Sequence, residues 1–229
     1  RMHVSVGSSL AIIIPTSIQS FRAHLARHAV DVAYLRAIAL PLLVGVVAAS
    51  AVASSISSSG LRGVFAVLAL VVGLRLVLNR PGWRLGTEIP GQPLRGVVGA
   101  LIGFFSTLMG IGGGVLNNTF MTLFGRPIHQ AVATSAGVGT LISVPGVIGY
   151  VLAGWGEPGL PIASTGYVNW IATAVILPSS LLLAPYGARL AHDLPKRALE
   201  LGFGFFLLFV SARFFASLPQ VEKTTHLAG

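Results

Sequence analysis

The sequence predicts an all-α, polytopic transmembrane protein made of two related halves, with one broken, re-entrant helix at a glycine cluster. Three observations lead there. Only 9% of the 229 residues are charged and 54% are hydrophobic, whereas a soluble domain carries about 25% charged residues to cover its surface. Stretches without Asp, Glu, Lys or Arg run through 37–61, 63–74, 96–125, 127–156 and 158–188, and several reach the roughly 20 residues that cross a bilayer core as a helix. The short alternating strands of a membrane barrel are absent, while Gly and Pro scattered through apolar segments suit helices in lipid.

In chain order, apolar helices are expected near 4–21, 34–54 and 61–79, a partial first repeat spanning 1–79. Arg22, Arg27 and Arg36 mark the first loop, and the Pro/Gly-rich stretch NRPGWRLGTEIPGQPLR (79–95) contains a linker over 80–93. The second repeat, 94–217, opens with the unusual segment 94–125 and continues with helices near 128–153, 165–185 and 198–217. GWGEPGLPIASTG (154–166) and HDLPKR (192–197) separate these, and 218–229 is a polar tail.

The halves show in the residues. A shift of 138 lays LRGVFAVLALVVGLRL (61–76) over LELGFGFFLLFVSARF (199–214), matching Leu61 with Leu199, Phe65 with Phe203 and Arg75 with Arg213. The same shift puts 30–32 on 168–170, and a shift of 126 puts Ser9 on Ser135. The partner of 94–125 would then precede residue 1. The chain opens inside an apolar segment with no visible signal peptide, so a missing first glycine-cluster helix is expected. If 94–125 crosses once, loop cations divide almost evenly between the faces. If it enters and returns, Arg22, Arg27, Arg36, Arg80, Arg84, Arg95, Arg126, Arg189, Lys196 and Arg197 share one face and Arg62 alone lies opposite. That asymmetry obeys the positive-inside rule and favours an inverted repeat with a cytoplasmic basic face.

Composition also narrows the function. The net charge of +9 is explained by cytoplasmic loops, and nucleic acid is not the expected partner. There is no cysteine, hence no disulfide and no thiolate metal site. All six acids, Asp31, Glu88, Glu157, Asp193, Glu200 and Glu222, fall in loops, the tail or helix ends, away from mid-membrane positions where cation pumps place their carboxylates. His24, His129 and His192 show no paired metal spacing; they read as interfacial, with His24 a candidate proton carrier. Arg75 and Arg213 read as snorkelling cations, and Trp83, Trp155, Trp170, Tyr150 and Tyr167 as interfacial anchors. No cofactor, metal or catalytic acid/base set is indicated, so the chain is not expected to be an enzyme.

The candidate site is GIGGGVLNN (110–118). Gly110, Gly112, Gly113 and Gly114 interrupt the apolar run, opening backbone conformations closed to other residues. A helix broken in the membrane exposes N–H groups that must face protein, water or ligand, and they carry the positive end of the second half-helix, which favours an anion. A close Gly-rich helix contact is the plainer alternative. Asn117, Asn118 and Thr119 either donate to an oxyanion or cap the freed backbone. Thr134 and Ser135 begin the next helix and supply further donors, with Ser8 and Ser9 as their repeat partners. No Lys-Ser/Thr pair follows the glycines, so this is not a phosphate-binding P-loop.

GFFSTLMGIGGG (103–114), AVATSAGVG (131–139), GYVNW (166–170) and APYGARLA (184–191), with GSSLAIIIPTSIQSFRAHLARHAVD (7–31), resemble the TauE/SafE sulfite exporter family over about residues 3–217. The resemblance implies a multi-pass permease of the bacterial inner (plasma) membrane, carrying a small inorganic or organosulfur anion such as sulfite or an organosulfonate. It implies Gly112, Gly113, Gly114, Thr134, Ser135, Ser8 and Ser9 as site positions. Asn117-Asn118-Thr119 departs from the family, which has an apolar stretch leading to proline there. Function is therefore expected to be secondary anion transport by alternating access across the bilayer. The alternatives are a non-transporting assembly or regulatory subunit, in which a homo-oligomer or second chain completes the missing helix, and a membrane-embedded enzyme.

Overall fold

Among the described residues, 2–78, 85–193 and 195–226 of a computed structural model, eight helices and one two-stranded ribbon are present. They are α1 (Met2–Ala26), α2 (Val32–Ala53), α3 (Ser58–Leu78), α4 (Leu94–Met109), α5 (Gly114–Leu123), α6 (Ile128–Ala153), β1 (Ser164–Thr165), β2 (Val168–Asn169), α7 (Trp170–Asp193) and α8 (Lys196–His226). The fold is the helical membrane protein the composition predicts. By length and hydropathy α1, α2, α3 and α6 can each cross a bilayer. Residues 79–84, which hold Arg80, Trp83 and Arg84 of the expected linker, lie outside the described residues, as do the side chains of Arg189, His192 and Lys196.

Several helix ends differ from expectation for identifiable reasons. Helix α1 continues past Arg22 to Ala26, because an arginine near a membrane surface extends to water without breaking a helix. Pro15 sits inside it, and the Thr16 hydroxyl supports that turn by donating to the carbonyls of Ile12 and Ile13 at 3.1 and 3.0 Å. Helix α7 starts at Trp170 because 164–169 pair as a ribbon, Ser164 opposite Asn169 and Thr165 opposite Val168, turning through Gly166 at φ 54°. Asn169 then caps α7, its Oδ1 accepting the Ala172 N–H at 2.8 Å. Tyr150 and Tyr167 are buried, 0% and 5% exposed, where surface anchors were expected. Gly7 makes that burial feasible, since a side chain there would meet the Tyr167 carbonyl and Tyr150 Cβ.

The chain divides into two units, His3–Ser55 with Arg84–Pro178, and Ile56–Trp83 with Ser179–Gly229. In the first, helix direction follows from the contacts. Down α2, Ile38, Leu42 and Gly45 meet Gly99, Gly103 and the Ala100–Phe104 turn of α4 in ascending order, so α2 and α4 run parallel. Glycines make this seam: a Cβ on Gly103 would strike the Leu42 carbonyl, and backbones approach this closely only through small residues. Leu35 lies against Gly137 and Ser50 against Gly149, so α6 is parallel to α2 as well. Helix α1 runs the other way along α6, with Phe21 on Gly137 and Leu10 on Gly146. The opposite face of α2 leaves Leu40, Val44 and Val47 exposed at 73%, 58% and 64%, one helical stripe of the kind that faces lipid.

The second unit pairs α3 with α8. Ser211 Oγ donates to the Ala66 carbonyl at 2.8 Å, Phe65 packs on Phe214, and Gly73 meets Gly204 and Leu208, so these helices are antiparallel. Arg197 donates to the Leu76 and Val77 carbonyls at 3.1 and 2.6 Å, satisfying the last turn of α3 with a cation at the negative end of its dipole.

The repeat offset of 138 reappears in the element starts. A shift of 138 carries Val32 to Trp170 and Ser58 to Lys196, each the first residue of its helix. Hydrogen bonds repeat with them. Ala29 N–H donates to the His24 carbonyl and Tyr167 N–H to the Tyr150 carbonyl, both at 3.1 Å. The Asp31 side chain accepts the Tyr34 N–H at 2.9 Å, as Asn169 accepts that of Ala172.

Candidate functional site

The glycine cluster breaks the helix. Helix α4 ends at Met109, Gly110 caps it in the left-handed region at φ 67°, and Gly113 at φ 74° precedes α5. Gly112 is also left-handed, at φ 63°. Three such residues within four positions cannot continue a helix, and side chains are strongly disfavoured there. At 1.5 Å per residue the 16 residues of α4 and the 10 of α5 are about 24 and 15 Å long, each short of the roughly 30 Å hydrocarbon core.

Helix α5 returns towards the face at which α4 enters. Asn118 meets Ser135 while Gly113 meets Val138 and Ile142, so α5 runs antiparallel to α6 and therefore to α4. Beyond it the Leu85 N–H donates to the Leu123 carbonyl at 2.8 Å, joining the segment before α4 to the end of α5. The segment is re-entrant. That reversal places Arg22, Arg27, Arg36, Arg95 and Arg126 at one end of the first unit, with Arg126 lying 3.7 Å from Asp31.

Beside the break lies a cavity of about 280 Å³. Helix α5 contributes Gly114 and Asn118, the break contributes Ile111 and Gly112, and α6 contributes Ser135, Ala136 and Gly139. Helix α1 adds Ile13, Thr16, Ser17 and Ser20. No lining residue is charged; the polar groups are hydroxyls, one amide and the backbone at the start of α5. Its N-cap residue, Gly113, has no side chain to cap α5, and the positive end of the α5 dipole lies at this break. The Ser106 and Thr107 hydroxyls, in the last turn of α4, are fully buried and have no hydrogen-bond partner among the described residues. Ser106 Oγ lies 3.5 Å from where a Cβ on Gly113 would be.

The ten expected site residues separate. Gly112, Gly114, Asn118 and Ser135 line the cavity. Gly110 and Gly113 shape the break, and Ser9 Oγ braces it by donating to the Gly110 carbonyl at 2.7 Å. Asn117 is wholly buried behind the lining; its Oδ1 accepts the Tyr34 hydroxyl at 2.7 Å, and its Nδ2 donates to Ser135 Oγ at 2.8 Å and lies 3.4 Å from Met121 Sδ. Thr134 and Ser8 hold backbone: Thr134 Oγ1 accepts the Asp31 N–H and Ser8 Oγ the Asn169 N–H, both at 2.9 Å. The sequence reading missed Thr16, Ser17, Ser20 and Tyr34. Thr16, Ser17 and Ser20 share one helical face by spacing, a signal present in PTSIQS (15–20).

The family model described as sulfite exporter TauE/SafE matches residues 1–214. A probable membrane transporter protein of Haemophilus influenzae is 30% identical over 215 residues, covering 93% of this chain and 81% of its own. Probable membrane transporter proteins named MamO, from Magnetospirillum gryphiswaldense and Paramagnetospirillum magneticum, are 32% and 31% identical over 122 and 121 residues, half of this chain and 18% of theirs. No solved structure matches.

Proposed function

The chain belongs to the sulfite exporter TauE/SafE family, a multi-pass membrane transporter family, and from that premise we propose that it is a secondary permease for a small oxyanion, sulfite or an organosulfonate, in the bacterial inner membrane. The observation that carries the proposal is the open, uncharged pocket at the Gly110–Gly114 break, in whose largely apolar lining the Ser135 hydroxyl and the Asn118 amide stand beside the start of α5. A tetrahedral or pyramidal oxyanion offers acceptor oxygens, and the pocket sets against them the positive end of the α5 dipole, the Ser135 hydroxyl and the Asn118 amide. With no acid among the lining residues, a cation would find no counter-charge.

Alternating access follows from the arrangement of the repeats in this reading. Helices paired by the repeat offsets, α1 with α6 and α3 with α8, run antiparallel, as an inverted duplication requires. Two inverted halves exchange conformations by symmetry, which opens the cavity at the break first to one face and then to the other. The five arginines at the α1–α2, α4 and α5–α6 ends make that face cytoplasmic. Purified protein in proteoliposomes tests the function: uptake of sulfite and methanesulfonate above protein-free vesicles is expected, with choline not carried. Equal leakage of all three solutes would refute it.

A further inference from the structure

We propose that Tyr34 is a positioning residue for the anion site, acting through the buried Asn117 amide to make the Ser135 hydroxyl a donor into the cavity; this rests on the anion-site reading above. The relay begins with the amide's orientation. A buried amide has an accepting end and a donating end, and its neighbours decide which way it lies. Met121 Sδ can only accept, and the Asn117 end facing it at 3.4 Å is Nδ2. At the other end Oδ1 accepts the Tyr34 hydroxyl at 2.7 Å. Methionine, which only accepts, therefore decides the amide's orientation, and the Tyr34 hydroxyl supplies the donor that Oδ1 needs in that orientation.

The consequence falls on Ser135. Its Oγ already accepts the Asn117 Nδ2–H at 2.8 Å, so its own hydrogen must go elsewhere. Serines in membrane helices usually return that hydrogen to a carbonyl one turn back. The protein acceptor that Ser135 reaches is Asn118 Oδ1 at 3.4 Å, long for an O–H···O bond, which is ordinarily about 2.5–3.0 Å. Ser135 and Asn118 both line the cavity, where an oxyanion would offer a stronger acceptor. Without the Tyr34 hydroxyl the buried Oδ1 has no donor where it lies, and the amide satisfies it by turning over to accept from Ser135, giving up the weak contact to Met121 Sδ. Ser135 would then donate inward to the amide and turn lone pairs to the cavity, replacing a donor by an acceptor where the anion binds.

The test is sulfite uptake by proteoliposomes containing wild type, Tyr34→Phe, Ser135→Ala and the double variant, with KM and Vmax measured per folded protein. Tyr34→Phe is expected to raise KM about tenfold, the scale of one hydrogen bond to a charged group, with Vmax within about twofold of wild type. In the Ser135→Ala background it is expected to add nothing, because its effect passes through that hydroxyl. Effects that multiply, or a wild-type KM in Tyr34→Phe, would overturn the relay while leaving the site intact. A wild-type KM in Ser135→Ala would overturn the site reading itself and the relay with it. If Tyr34→Phe folds too poorly for flux, Met121→Leu reads the orientation from the other end: a raised KM that vanishes in the Ser135→Ala background supports the relay, and an unchanged KM in wild-type background overturns it.

Discussion

The Thr134 hydroxyl accepts the backbone N–H of Asp31 at 2.9 Å, tying the start of α6 to the start of α2. The repeat offsets carry Thr134 to Ser8 and Asp31 to Asn169, and Ser8 accepts the Asn169 N–H at the same distance. The two bonds are equivalent under these offsets. Thr134→Val keeps the shape but removes the acceptor of a part-buried N–H, and is expected to cost about 1 kcal/mol. Thr134→Ser should stay near wild type. Thermal unfolding in detergent reads the difference, and equal melting temperatures for the two variants would show that the bond contributes nothing.

Asp31 separates capping from charge. Its carboxylate accepts the Tyr34 N–H as the N-cap of α2 and lies 3.7 Å from Arg126, whose side chain is 43% exposed. Asparagine caps as well as aspartate and already occupies the equivalent position 169. Asp31→Asn should therefore change stability by less than about 1 kcal/mol, the usual worth of an exposed ion pair, while Asp31→Ala loses the cap and about 1 kcal/mol more. Melting temperatures that rank Asn with Ala would place the stabilisation in the charge instead.

The α2–α4 seam depends on Gly103. A Cβ there would strike the Leu42 carbonyl, and backbone atoms cannot swing aside as a side chain can. Gly103→Val is expected to push the helices apart and sharply reduce the monodisperse fraction on size-exclusion chromatography. Gly63→Val in α3, where nothing lies within 4 Å, should elute as wild type. A normal profile for Gly103→Val would mean that the seam is looser than its contacts imply.

Because the chain has no cysteine, single cysteines report topology without background. A cysteine at Gly91, before α4, should react with an impermeant maleimide only from the cytoplasmic side. One at Ile162, 87% exposed in the α6–α7 loop, should react only from outside. Labelling of both from one side would contradict the helix directions.

Much of this was legible in the residues. The glycines mark the break because the backbone at 110, 112 and 113 takes positive φ, which few other residues tolerate. Helix starts and their caps, such as Asp31 and Asn169, keep the offset of 138 that the residues suggest. The division of labour inside the site was not legible. Asn117 and Asn118 are adjacent and chemically identical, yet a helix turns neighbours about 100° apart, so one faces the interior and the other the cavity. Tyr34 carried no signal, because an aromatic near a helix start reads as an anchor and its partner lies 83 residues away.

Gly113 and Gly114 give the most direct test of the anion site, since pattern alone does not distinguish them. A side chain on Gly113 is strained by φ 74° and would meet Ile142 Cδ1 at 2.5 Å, so its loss of transport would report folding. Gly114 lines the cavity and has nothing within 4 Å of an added Cβ. Sulfite flux through Gly114→Leu in proteoliposomes, alongside its melting temperature, is therefore the decisive measurement. The expected result is flux reduced to the level of empty vesicles with a melting temperature near wild type; wild-type flux in that variant would contradict an anion path through the break.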